Sequence, residues 1–136
     1  MDTLPAGSQE NFPYSAFIDG LEEAIYWHNA WYSRGMRQLM SQGTSSEDLL
    51  ARDAHLHCKL AGFFNYLPTP PGREELKAQV EELHRQMHEL MREALLESQA
   101  TQQVSDDMLD ELEEAQATFF INLQGFFRQV MEDKCA

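Results

Sequence analysis

In this chain of 136 residues, the stretch most suited to chemistry is His84-Arg85-Gln86-Met87-His88. Two histidines four apart in a helical segment project from the same face, one turn apart. Imidazoles placed that way can chelate one transition-metal ion. In zinc peptidases the residue after the first histidine is a glutamate that acts as general base. Here that residue is Arg85, which cannot take a proton, and Glu89 follows the second histidine on the wrong side of the motif. The sequence also contains no visible Ser/His/Asp set, glycine-rich phosphate loop or paired-carboxylate motif. Two more soft ligands are available, His28 and the mid-chain Cys58. If His28, Cys58, His84 and His88 converge, three imidazoles and one thiolate meet from three helices. That set suits tetrahedral Zn²⁺ and leaves no coordination position for a substrate, so the site would be structural or regulatory rather than hydrolytic. The competing reading is ordinary packing, since histidine and free cysteine are both often buried without any ligand role.

The elements that must bring these residues together are helical. Eight Phe and seven Met with few β-branched residues favour helices over strands. Residues 1–13 lack periodicity and read as a flexible N-terminal leader, with one helical domain over 14–136. A first helix is expected from Ser15 to Met40, with an inward stripe of Leu21, Ile25, His28, Tyr32, Gly35 and Leu39. A second is expected over 46–66, following Leu49, Leu56, Leu60, Phe63 and Leu67. Cys58 falls about 200° round that helix from Leu56, so periodicity alone does not aim it at the histidines. Either the helix restarts near Asp53-Ala54, or a second stripe through Leu50, Ala54, Ala61 and Phe64 turns Cys58 inward. Leu67-Pro68-Thr69-Pro70-Pro71-Gly72 is a break. A third helix then runs from Arg73 to Ala100 with the stripe Leu76, Val80, Leu83, Met87, Leu90 and Ala94, His84 and His88 lying on its flank. Ser105-Asp106-Asp107 starts a fourth, whose stripe is Leu109, Leu112, Gln116, Phe119, Leu123, Phe126 and Val130. Phe120 and Phe127 add a second apolar face to it. The expected architecture is all-α, an antiparallel four-helix bundle.

Composition limits the partners. With 23 acidic and 10 basic residues the formal charge is −13, which opposes binding to nucleic acid or to an anionic membrane. No apolar run is long enough to span a bilayer and the first residues do not form a secretory signal, so a cytoplasmic location is expected. In that compartment Cys58 and Cys135 read as thiols or metal ligands rather than a disulfide.

Ala24-Ile25-x-x-His28-x-x-Trp31, a cysteine about thirty residues later and His84-x-x-Met87-His88 resemble the chemoreceptor zinc-binding (CZB) family. The resemblance runs from residue 17 to residue 130. It implies a helical, commonly homodimeric input module that binds zinc through three histidines and one cysteine, here His28, Cys58, His84 and His88. It implies no enzymatic activity in this part of the chain. The family usually follows its cysteine with Phe-Gly-x-Trp, whereas this chain has Cys58-Lys59-Leu60-Ala61-Gly62-Phe63-Phe64. By analogy, the Lys134-Cys135-Ala136 end resembles the junction before a diguanylate cyclase (GGDEF) domain. The expected role is therefore a zinc sensor acting on an attached output in c-di-GMP signalling, with the zinc-bound thiolate also open to oxidants. The alternatives are a hemerythrin-like di-iron oxygen-binding bundle and a metal-free dimerisation bundle. His55 and His57, beside the cysteine, are read as exposed or as neighbours that orient the ligands.

Overall fold

A computed structural model describes residues 12–41 and 58–136, and its four described elements are all helices: α1 (Tyr14–Ser41), α2 (Lys59–Tyr66), α3 (Glu74–Thr101) and α4 (Asp106–Cys135). The all-α expectation holds among these residues. Of the leader expected over 1–13, residues 1–11 lie outside the described part, while Phe12 is buried against Tyr14 and Phe17, with ring centroids 4.7 and 5.6 Å away. The 46–57 portion of the expected second helix, with both routes for turning Cys58 inward and with His55 and His57, also lies outside the described residues.

Local chemistry explains the boundaries. The Leu67–Gly72 break interrupts the chain after α2, and Gly72 takes the left-handed conformation (φ +78°) that a glycine adopts cheaply. Gln102 is also left-handed (φ +65°), and its N–H donates to the Ser98 carbonyl at 2.8 Å, ending α3. Ser105 caps α4: its hydroxyl oxygen accepts from the Met108 N–H at 3.2 Å, and Asp106 and Asp107 occupy the positive end of the helix dipole.

Two apolar clusters fill the interior. One joins Phe17, Leu21 and Ala24 of α1 to Leu60 and Phe64 of α2, Val80 of α3, and Phe119, Leu123, Phe126 and Val130 of α4. The other joins Leu39, Met87, Met91, Ala94, Leu95 and Leu112. Along α1 and α3 the chain passes from the first cluster to the second, and along α4 it passes back. At the far end of the first cluster Arg73, just before α3, donates to both carboxylate oxygens of Asp133 near the end of α4, at 2.8 and 2.7 Å. Among the described residues, no helix is long and apolar enough to cross a membrane.

The buried line of α3 is rotated from the expected one. Val80, His84, Met87, His88, Met91, Ala94, Leu95 and Ser98 are buried, while Leu76, Leu83 and Leu90 are half-buried edges. The reason is that α3 packs on α1 and α4 at once, so its inward arc is wide and the two histidines sit within it.

Two glycines of the helices should respond oppositely to alanine. A Cβ at Gly35 would lie 2.5 Å from Cε and 2.6 Å from Sδ of the fully buried Met91, whereas one at Gly125 would meet nothing within 4 Å. Helix propensity favours alanine by about 1 kcal/mol at either site. At Gly35 that gain is outweighed by repacking, which costs about 1–3 kcal/mol. Urea unfolding should show Gly125→Ala stabilised and Gly35→Ala destabilised.

Candidate metal centre

His28 of α1, Cys58 just before α2, and His84 and His88 of α3 each offer a ligand atom, and these four atoms all lie within 4.8 Å of one another. The cluster sits between the two apolar clusters. On α1, His28 falls between Ile25, which packs with the first, and Trp31, which packs with the second; on α3, His84 follows Leu83 of the first and His88 precedes Leu90 of the second. All three histidines are buried, at 0%, 2% and 4% exposure, and Cys58 is partly buried. The fold thus brings together the four residues singled out from the sequence.

The local path of each differs. His84 and His88 are held by helix periodicity alone, and their Nε2 atoms face each other at 3.0 Å. Cys58 is not on a helix. It is the N-cap residue of α2, with extended backbone (φ −74°, ψ 148°), so the helix-phase argument that turned it away from the histidines does not apply to it. Burial pushes the Cys58 thiol above its ordinary range, while the backbone amides of Leu60 and Ala61 pull it down to a smaller extent. A nearby metal ion would reverse the larger effect, because a coordinating thiol is deprotonated outright.

Aromatic rings wall the site. Trp31 stacks on His88 with centroids 3.8 Å apart and planes 30° apart. Phe119 of α4 lies 4.7 Å from the His28 ring and 5.7 Å from the His84 ring. Gln116 of α4 approaches His28, with Oε1 3.4 Å from Nε2. Neither Gln116 nor Phe119 was picked out by sequence reasoning as more than a stripe position; the available signal was a lone amide in an otherwise apolar stripe. Arg85, by contrast, faces away, paired with Glu82 at 2.7 Å and Glu89 at 3.0 Å on the exposed side of α3.

The donor set fits a metal ion. With bonds of 2.0–2.3 Å to nitrogen and sulfur, ligand atoms around a tetrahedral centre stand about 3.3–3.7 Å apart. The His84–His88 pair is already near that spacing, and the 4.8 Å limit for the group leaves closure of about an ångström. The orphaned Nδ1 of His28, buried and without a hydrogen-bond partner among the described residues, is a second mark of a missing ligand. Among the described residues, no carboxylate joins the group.

Without metal, the site should make the fold acid-sensitive. Burial lowers the His28 pKa from 6.5 to about 4, and the contact with Gln116 only partly opposes this. Between those values the unfolded chain holds a proton that the folded chain refuses. The contribution is thus fully present above about pH 6.5 and is lost as pH falls towards 4. The whole gap is worth about 3 kcal/mol, of which about 2 kcal/mol should be gone by pH 5. Chelator-treated protein should unfold at lower urea at pH 5 than at pH 7.5, and His28→Leu should flatten that difference.

Comparison with known proteins gives no match: no family model fits the chain, and no curated protein or solved structure is significantly similar to it.

Proposed function

We propose that the chain is a zinc-binding regulatory domain of the CZB type, with His28, Cys58, His84 and His88 as ligands and an attached output domain as its target. The observation that carries this reading is the convergence of three imidazoles and one sulfur from three separate parts of the chain into a largely buried group. A bound zinc ion would supply a cross-link among one thiolate and three imidazole ligands. The remaining chemistry belongs to the chain. His84 and His88 present their Nε2 atoms from one face of α3, His28 adds a ligand from α1, and Cys58 adds the thiolate at the head of α2. Trp31 and Phe119 exclude water from the imidazoles. Four protein ligands leave no site for a substrate, which is why the reading is regulatory rather than catalytic.

The same proposal includes an antiparallel, homodimeric bundle in the cytoplasm. The reversal of α4 relative to α1 and α3 supports the first part. The half-buried Phe120 and Phe127, lining a surface groove with Ile25, support the second. The output is proposed to be a diguanylate cyclase, with the Cys58 thiolate also able to report oxidants. A di-iron oxygen carrier is disfavoured by the thiolate and by the want of a carboxylate in the group among the described residues. Metal analysis of protein purified without added metal is expected to find one zinc per chain, and X-ray absorption to find one sulfur near 2.3 Å. Iron in place of zinc, or no sulfur scatterer, would overturn the assignment.

A further inference from the structure

We propose that Gln116 of α4 holds His28 in the tautomer that carries its proton on Nε2, so that His28 meets the metal through Nδ1. This rests on the metal-binding reading of the site.

The first observation is the placement of Gln116. Its neighbours along the α4 stripe, Leu112, Phe119, Leu123 and Phe126, are all buried and apolar. Gln116 itself is half-buried, and an amide turned towards that apolar face is costly there without a hydrogen-bond partner. Its partner is His28, 88 residues earlier in the chain, with Oε1 3.4 Å from Nε2. A carbonyl oxygen accepts and never donates, so Nε2 supplies the hydrogen. A neutral imidazole carries one ring proton, which leaves Nδ1 as the lone pair.

The second observation is Nδ1 itself. It is buried and has no hydrogen-bond partner among the described residues. In a ring that belongs to a group of four ligand-bearing residues, that unpartnered nitrogen is free to take an ion.

The other nitrogen, Nε2, is blocked by Gln116. A hydrogen-bonded oxygen lies close to the line along which the ring nitrogen would meet a metal. An ion about 2.0 Å out on that line would stand about 1.4 Å from an oxygen 3.4 Å away, well inside the metal–oxygen bond length of about 2.0 Å. Ligation through Nε2 would require Gln116 to leave.

The consequence is that α4, which gives no ligand, is nevertheless wired to the centre. The Nε2–H to carbonyl bond orients the imidazole and raises its basicity, as such partners do for metal-bound histidines. Gln116 is thus a positioning residue, acting through His28.

The test begins with the full chain loaded with zinc and labelled with nitrogen-15. Long-range proton–nitrogen NMR of the imidazoles, with His28 assigned from a His28→Asn variant, should show His28 protonated at Nε2 and metal-bound at Nδ1. Competition against a chromophoric chelator should then find Gln116→Leu weaker by about 10–100-fold. Gln116→Glu keeps the acceptor and should bind at least as tightly as the parent. A His28 bound through Nε2 in the parent protein, or a folded Gln116→Leu with parental affinity, would overturn this inference while leaving the zinc site intact. Should Gln116→Leu not fold, the tautomer of the parent decides alone. Failure of the parent to take up zinc at all would sink both this inference and the function it rests on.

Discussion

Cys58→Ala is expected to weaken zinc binding by more than about a hundredfold, beyond the 10–100-fold typical of losing a partner outside the coordination shell. Cys58 is the only sulfur in the group, and the three histidines that remain are a poorer match to the ion. The loss should be accompanied by a local change. α2 is eight residues long, too short to be stable by itself, and it is held to α1 by Leu60 and by Phe63, whose ring lies 4.8 Å from that of Phe17. The longer helices share two apolar clusters, and these should survive removal of the metal. Chelation or Cys58→Ala should therefore speed hydrogen exchange from Cys58 to Tyr66 while α1, α3 and α4 keep their protection. Structural zinc is worth about 10 kcal/mol or more in finger peptides that have almost no core. Here the core exists already, so the metal's effect should be felt where the core is thinnest. Global unfolding, or exchange unchanged everywhere, would contradict this.

His28→Leu should have opposite effects with and without metal. In chelator-treated protein the substitution removes a fully buried imidazole whose Nδ1 has no partner among the described residues, and supplies apolar volume beside Phe119. Replacing such a group by a hydrophobe is neutral or stabilising when the partner left behind can turn to water, as the half-buried Gln116 can. With free zinc at a thousand times the dissociation constant, the parent gains about 4 kcal/mol that the variant cannot. Parent and variant unfolding curves should therefore cross as zinc is added. A variant less stable than the parent under chelation would mean that His28 earns its place by packing alone.

The sequence was legible where periodicity controls a side chain and silent where it does not. Helix periodicity is enough to put His28 on the inward face of α1 and His84 with His88 on one face of α3. It mis-centred α3, because the stripe of Leu76, Leu83 and Leu90 marks the edge of an arc buried on both sides. The direction of Cys58 was beyond it, since the extended backbone of an N-cap residue, and not a helical phase, aims that thiol. Gln116 could be seen as an anomaly in an apolar stripe, yet its partner lies 88 residues away, and only the fold joins them.

The seam between the two apolar clusters has a consequence for how the helices find their alignment. His28, His84, His88 and Gln116 lie in one polar stratum with hydrocarbon on either side. Sliding α3 along α1 by one turn, 5.4 Å, would carry its imidazoles away from Cys58 and among leucine and phenylalanine, at the cost of burying them without partners. Apolar stripes tolerate such slippage; a single polar stratum does not, as buried polar positions that fix coiled-coil register illustrate. The residues that would grip the ion thus also act as a vernier mark, setting the bundle's longitudinal alignment before any ion arrives.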